Sequence, residues 1–227
     1  MSLTDMARTW VWLVHKDLLR ELRAPRVWPA MLLLGVVLSL IIEMQIELPQ
    51  DQKRSLVGGL FWLAVFFAGT VALDRSFSGE REEGCWQGLL LYPVAPGTIF
   101  LAKLTANFLA LCALDAVLVP AFGVFSDVPL LARPWAFLAT VVVANLGFAA
   151  VGTLVSALTS GLAQRGSLLV LLLLPLATPV VIGAAQATRS LLAGDANEWS
   201  RWVQLLGSFT ALFVTVGTLV FEFVIED

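Results

Sequence analysis

Six apolar runs dominate this chain, at residues 27–48, 56–73, 98–125, 135–158, 166–187 and 202–225. A bilayer core of about 30 Å takes about 20 residues of helix to cross. Lipid offers no hydrogen-bond partner to a bare N–H or C=O, so a run that crosses must satisfy its backbone internally, as a helix does. The chain is 59% hydrophobic and 14% charged, well below the roughly 25% charged residues of a soluble domain. An all-α integral membrane protein is expected, with residues 1–227 forming a single transmembrane domain of six transmembrane helices. The second run is the shortest, and its Gly58, Gly59 and Gly69 would let neighbouring helices come close. Gly147, Gly152 and Gly161 offer the same later in the chain.

The segment before the first run has a different pattern. Leu3, Met6, Trp10, Val11, Val14, Leu18 and Leu22 recur at helical spacing. Arg8, His15, Lys16, Arg20 and Arg23 fall mostly on the other side. Residues 1–25 therefore read as an amphipathic helix lying in the membrane interface and ending near Pro25. The first long run follows five Lys/Arg residues and is long enough to span, so it is expected to be a retained helix rather than a cleaved signal peptide. With the N-terminus inside, nine Lys/Arg are cytoplasmic: Arg8, Lys16, Arg20, Arg23, Arg26, Arg75, Arg81, Lys103 and Arg165. Five are outside: Lys53, Arg54, Arg133, Arg189 and Arg201. That bias predicts both termini on the cytoplasmic side. Trp10, Trp28, Trp135, Trp199 and Trp202 sit at run edges, as an aromatic belt does.

Several function classes are disfavoured. The net charge of −3 and the lack of a long basic run argue against nucleic-acid binding. Cys85 and Cys112 are far apart and form no CxxC pair, so a disulfide or metal site is not expected. No G-x-x-x-x-G-K-[ST] loop is present to cradle ATP phosphates. His15 and Tyr92 are the only His and Tyr, too few for a general acid/base pair or a His-rich metal site. No paired iron ligands are evident either, so no cofactor is expected to be bound by this chain itself. The chain reads as something other than an enzyme.

Inside the membrane, polar residues are few. Asp115 lies well within the third run, five residues before Pro120. A carboxylate at bilayer depth costs about 2.5 kcal/mol or more, so it faces a bundle interior or an aqueous cavity. Asp115 is either a pathway residue or an internal hydrogen-bonding partner. Asn107, about two helical turns earlier, shares its side of the helix, and Asn145 is expected to bond between helices. Glu43 reads as interfacial. Pro175 and Pro179 each remove a backbone donor from the fifth run. They give either a fixed kink for packing or a point at which the span changes shape.

Between the second and third runs lies a charged island, DRSFSGEREEGCWQGLLLYPVAPGTIFLAK, beginning at Asp74. It carries six of the chain's 31 formal charges before Pro93. Glu80, Arg81, Glu82 and Glu83 are followed by a stretch, 85–91, able to form a short amphipathic helix with Trp86, Leu89 and Leu90 on its apolar side. An anionic patch next to such a helix fits a docking surface for a soluble partner better than a merely solvated loop.

The motifs Leu73-Asp74-Arg75-x-Phe77, Glu82-x-Gly84, Leu89-Leu90-Leu91-x-Pro93 and Leu101-Ala102-Lys103 resemble the CcmB family of bacterial cytochrome c maturation. Leu174-Pro175-Leu176-x-x-Pro179 and Arg20-Glu21-Leu22-Arg23 resemble it too. The likeness implies a permease subunit of an ATP-binding-cassette complex, with an ABC-2 (type V) exporter-like fold, in the bacterial inner membrane. It implies a CcmA-like ATPase partner holding the ATP, CcmC-like and CcmD-like subunits, a homodimer within the complex and haem as its substrate. Residues 74–97 would be the cytoplasmic coupling loop, with Asp74, Arg75, Phe77, Glu80, Glu82, Gly84, Trp86, Leu90 and Pro93 engaging the ATPase. The complex would either move haem or use ATP to release a haem-loaded chaperone, CcmE, from CcmC. Three other readings stay open: a generic ABC-2 exporter permease, a proton-coupled secondary transporter using Asp115, and a membrane scaffold.

Overall fold

A computed structural model describes residues 3–23, 28–45, 49–82, 95–126, 128–159 and 165–226. Its helices are α1 (Leu3–Arg23), α2 (Trp28–Gln45), α3 (Gln50–Glu82), α4 (Pro96–Ser126), α5 (Pro134–Thr159), α6 (Arg165–Ala193) and α7 (Ala196–Glu226). A 3-10 turn at Leu130–Ala132 joins α4 to α5. No strand occurs among the described residues. Among the described residues, five helices are long and apolar enough to cross a membrane: Gln52–Asp74 within α3, then Pro96–Ser126, Pro134–Thr159, Leu168–Ala193 and Ala196–Phe221. The first apolar run becomes α2, a shorter helix of 18 residues whose apolar part is Trp28–Ile41. The protein is an all-α integral membrane protein.

One helix organises the rest. The span of α5 is 72% buried, against 33% for α4 and α6 and 22% for α7. It packs against α3, α4, α6 and α7. Every residue from Phe148 to Ala157 is buried, which requires neighbours on all sides. Small residues make this feasible: Ala149, Ala150, Gly152, Thr153, Ser156 and Ala157 keep the helix thin. At Gly152 a Cβ would overlap the side chain of Leu73, itself fully buried on α3, so this crossing requires glycine. Of the glycines expected to admit neighbours on α3, Gly58 and Gly69 lie against α6 and against α4 and α5 respectively, whereas Gly59 has nothing within 4 Å. Phe61 of α3 packs in the core with Trp62, Phe122 and Phe137 at ring separations of 5.2, 5.4 and 6.1 Å.

One boundary departs from the sequence reading. α3 does not stop at the membrane edge near residue 73 but continues to Glu82, so the first third of the expected coupling loop is helical. The change from apolar to charged composition marks where the helix leaves the bilayer, not where it ends. No proline interrupts residues 74–92 to force an end there. α6 runs through Pro175 and Pro179 as one helix, in keeping with the single run at 166–187. Near them Thr178 donates its hydroxyl to the carbonyl of Leu174 at 2.6 Å, a local side-chain contact of the kind that helps such helices absorb proline.

The α6–α7 hairpin is legible residue by residue. Gly194 adopts φ +83°, its N–H bonds the carbonyl of Leu191 at 3.2 Å, and the N–H of Asp195 bonds the carbonyl of Ser190 at 3.0 Å. This is a Schellman end, which favours glycine at the left-handed position. Asp195 then caps α7, its Oδ1 accepting from the N–H of Glu198 at 2.9 Å. Trp199 donates its indole N–H to Thr140 Oγ1 at 3.0 Å and fastens the new helix to α5. Since a Cβ at Gly194 would have Arg133 no nearer than 3.8 Å, Gly194→Ala suffers only backbone strain. It should lose about 1 kcal/mol, read from thermal unfolding in detergent; an unshifted midpoint would contradict the hairpin geometry.

Candidate functional site

The polar residues singled out on α4 meet partners on α5. Asn145 Nδ2 donates to Asp115 Oδ2 at 2.6 Å and lies 3.7 Å from Cys112 Sγ. Asn107 Nδ2 donates to Thr153 Oγ1 at 2.8 Å. Asn107 and Asp115 are two turns apart on α4, and so are Asn145 and Thr153 on α5. The helices run antiparallel, and the result is a two-rung polar ladder whose rungs stand about 12 Å apart. All four residues are buried, Asp115 to 3% exposure and Asn145 to 0%. Asp115 Oδ1 and Asn145 Oδ1 have no hydrogen-bond partner.

Asp115 lies buried where α4 packs on α5. Its carboxyl faces the bundle interior and is a hydrogen-bonding partner within the fold. Thr153 was not anticipated from the sequence. The only signal for it was that its distance from Asn145 equals that between Asn107 and Asp115. Pro175 and Pro179 lie on α6, which packs on α5; Pro175 is exposed and Pro179 half-buried.

A second polar contact lies at the foot of α4. Lys103 is 5% exposed, and its Nζ meets Asp17 Oδ2 of α1 at 2.9 Å. The N-terminal helix is thus not merely laid along the bundle: it packs on α4 and is fastened there by a charge pair. Nothing in α1's periodicity shows that Asp17 will meet Lys103, because a helical pattern does not say which neighbour an acidic residue will face.

The charged island begins at this same end. Asp74 is half-buried near the C-terminal end of α3, and its Oδ1 has no hydrogen-bond partner. Arg75, Phe77, Glu80 and Glu82 follow on the same helix. Gly84, Trp86, Leu90 and Pro93 lie outside the described residues, as does the expected short helix at 85–91. Pro96 opens α4, with the N–H of Thr98 bonded to the carbonyl of Ala95 at 2.9 Å.

The model of one protein family, described as CcmB protein, matches residues 8–226. Among curated proteins, Heme exporter protein B of Pseudomonas aeruginosa is 30% identical over 169 residues, which cover 74% of this chain and 74% of that protein. Heme exporter protein B of Paracoccus denitrificans is 31% identical over 136 residues, covering 60% of this chain and 62% of its own length. That of Rhodobacter capsulatus is 28% identical over 169 residues, 73% of this chain and 77% of the relative. The matched range takes in α1 from Arg8, the charged island, the α4–α5 ladder and the proline-bearing α6, and on that match this multi-pass membrane protein belongs to the CcmB family.

Proposed function

We propose that this chain is the permease subunit of an ATP-binding-cassette complex that exports haem across the bacterial inner membrane. The observation that carries the reading is family membership joined to relatives that bear the name Heme exporter protein B. In this reading ATP hydrolysis belongs to a separate, CcmA-like chain, which agrees with the lack of a phosphate-cradling loop in this sequence. Two copies of the permease, a CcmC-like haem-handling protein and a CcmD-like small subunit complete the proposed complex. Whether haem itself moves or a haem-loaded chaperone is released, the permease has the same task. It must convert motion of the ATPase into motion of the spans.

The segment 74–97 is the proposed receiver. In it Asp74 ends the membrane-crossing part of α3, Arg75, Phe77, Glu80 and Glu82 extend the helix beyond it, and Gly84, Trp86, Leu90 and Pro93 follow in the chain before α4. A push there acts on two helices that both pack against the central α5. The Lys/Arg distribution supports a cytoplasmic position for this segment and for both termini.

The test is co-purification of tagged chain from membranes that express the candidate partners. Wild type is expected to capture the soluble ATPase and the CcmC-like protein. Trp86→Ala and Glu82→Ala are expected to insert normally yet lower ATPase capture, the Trp change by about tenfold or more, as loss of an aromatic anchor does. Undiminished capture by both variants would remove segment 74–97 from the interface. Failure of wild type to capture any ATPase would end the reading as a cassette permease.

A further inference from the structure

We propose that the outer face of α1, built from Arg8, Trp12 and Lys16, binds the anionic phosphate headgroups of the surrounding phospholipid leaflet. The three residues follow one another at four-residue intervals and so share one side of the helix. Trp12 is 69% exposed and Val11 beside it 54%, while Arg8, His15 and Lys16 are exposed around them. The opposite side is occupied: Val14 is buried and Asp17 is turned inward onto Lys103 at 2.9 Å. Residues 1–26 contain five Lys/Arg and three Asp/Glu. The charge of Asp17 is met by a lysine from another helix, and the ionisable side chains exposed among the described residues of α1, Arg8, His15 and Lys16, are all basic. Lys16 also contacts Asp17 at 3.5 Å, with 42% of its own side chain still exposed.

Position selects lipid over an acidic protein as the occupant. Lys103 lies seven residues into α4, a membrane-crossing helix that starts at Pro96. At 1.5 Å per residue, the ion pair holds α1 within about 10 Å of that helix end, and the 31 residues of α4 span about 46 Å, so about 8 Å of helix at each end lies beyond a core of about 30 Å, at headgroup level. α2 starts at Trp28, only five residues after α1 ends. A helix held at that level has headgroups as its neighbours. Tryptophan favours that layer, and basic residues on an amphipathic helix there attract anionic lipid. Fastening by Asp17–Lys103 means that headgroup binding also fixes the foot of α4, next to the segment that would receive the ATPase. The proposal itself does not depend on haem or on ATP.

The experiment uses the full chain, delipidated in neutral detergent and titrated with phosphatidylglycerol or phosphatidylcholine. Bound copies are counted by native mass spectrometry, and contact is read as quenching of tryptophan fluorescence by brominated lipid. Wild type should prefer phosphatidylglycerol, with the preference weakening as salt is raised. Arg8→Gln and Lys16→Gln should each reduce phosphatidylglycerol affinity by about fivefold, and together by about 25-fold. Because the double change alters the surface, the charge-preserving pair Arg8→Lys with Lys16→Arg serves as the second variant and should retain the preference. Equal binding of the two lipids by wild type would overturn the proposal. So would an unaltered preference in the double glutamine variant, or lost preference in the charge-preserving one. If the glutamine pair leaves lipid binding intact but sheds a soluble acidic protein, the face belongs to a protein partner and the proposal fails.

Discussion

Lys103→Met is expected to destabilise the protein by about 3 kcal/mol, because it strands Asp17 against the bundle without its main counter-charge. The side chains of Lys103 and Asp17 are only 7% and 13% exposed, so water cannot replace the missing lysine. Lys16, 3.5 Å from Asp17 and partly exposed, offsets a fraction of the loss and places the effect at the lower end of the range for a broken buried pair. Replacing both members by apolar residues, Asp17→Leu with Lys103→Met, should recover most of the stability, since neither charge then needs solvation. Unfolding midpoints in detergent for the single and double variants decide the matter. A double variant as unstable as the sum of the two singles would show that the ion pair is not what fastens α1 to α4.

Asn145→Leu should produce the second large loss, about 2–3 kcal/mol. It removes the donor to Asp115 Oδ2, while Oδ1 already has no partner, so the carboxyl would be left with no hydrogen bond in the bundle interior. An ordinary hydrogen bond between membrane helices contributes about 0.6 kcal/mol on average, whereas stranding a buried acidic group costs several times that. Thr153→Val breaks the other rung and provides the comparison, with an expected loss near about 1 kcal/mol because Asn107 is a neutral amide. The order of the two losses is the informative result. Equal losses would mean that the rung at Asp115 does nothing a neutral pair does not. Larger damage from Thr153→Val would move the centre of the ladder to Asn107.

Much of the architecture was open to sequence reading because lipid removes alternatives. The runs at 98–125, 135–158 and 202–225 sit inside α4, α5 and α7 with small shifts at their ends, and the amphipathic pattern at 1–25 matches α1 (Leu3–Arg23). Ends were harder to place. The charged composition after residue 73 suggested a loop where α3 continues to Glu82, because polarity reports the edge of the bilayer and helix ends depend on caps and breakers. At Gly194 and Asp195 those local signals were present in the sequence, and the hairpin forms there.

Partner identity belongs to another level. Asn107, Asp115 and Asn145 were recognisable as polar groups that need partners, since an apolar environment makes each costly. Their bonding pattern required the antiparallel alignment of α4 with α5, which no single-helix periodicity contains. The central place of α5 is similar. Its many small residues allowed close packing, yet four neighbouring helices had to converge before that capacity became burial from Phe148 to Ala157. Asp17 had no signature at all until α1 lay against Lys103. The sequence by itself determined that this chain is helical, crosses a membrane and carries a charged segment between its second and third runs, because hydrophobic length and backbone hydrogen bonding act locally. Only the tertiary structure decided which buried polar groups meet and which helix lies at the centre, because those depend on distances between residues far apart in the chain.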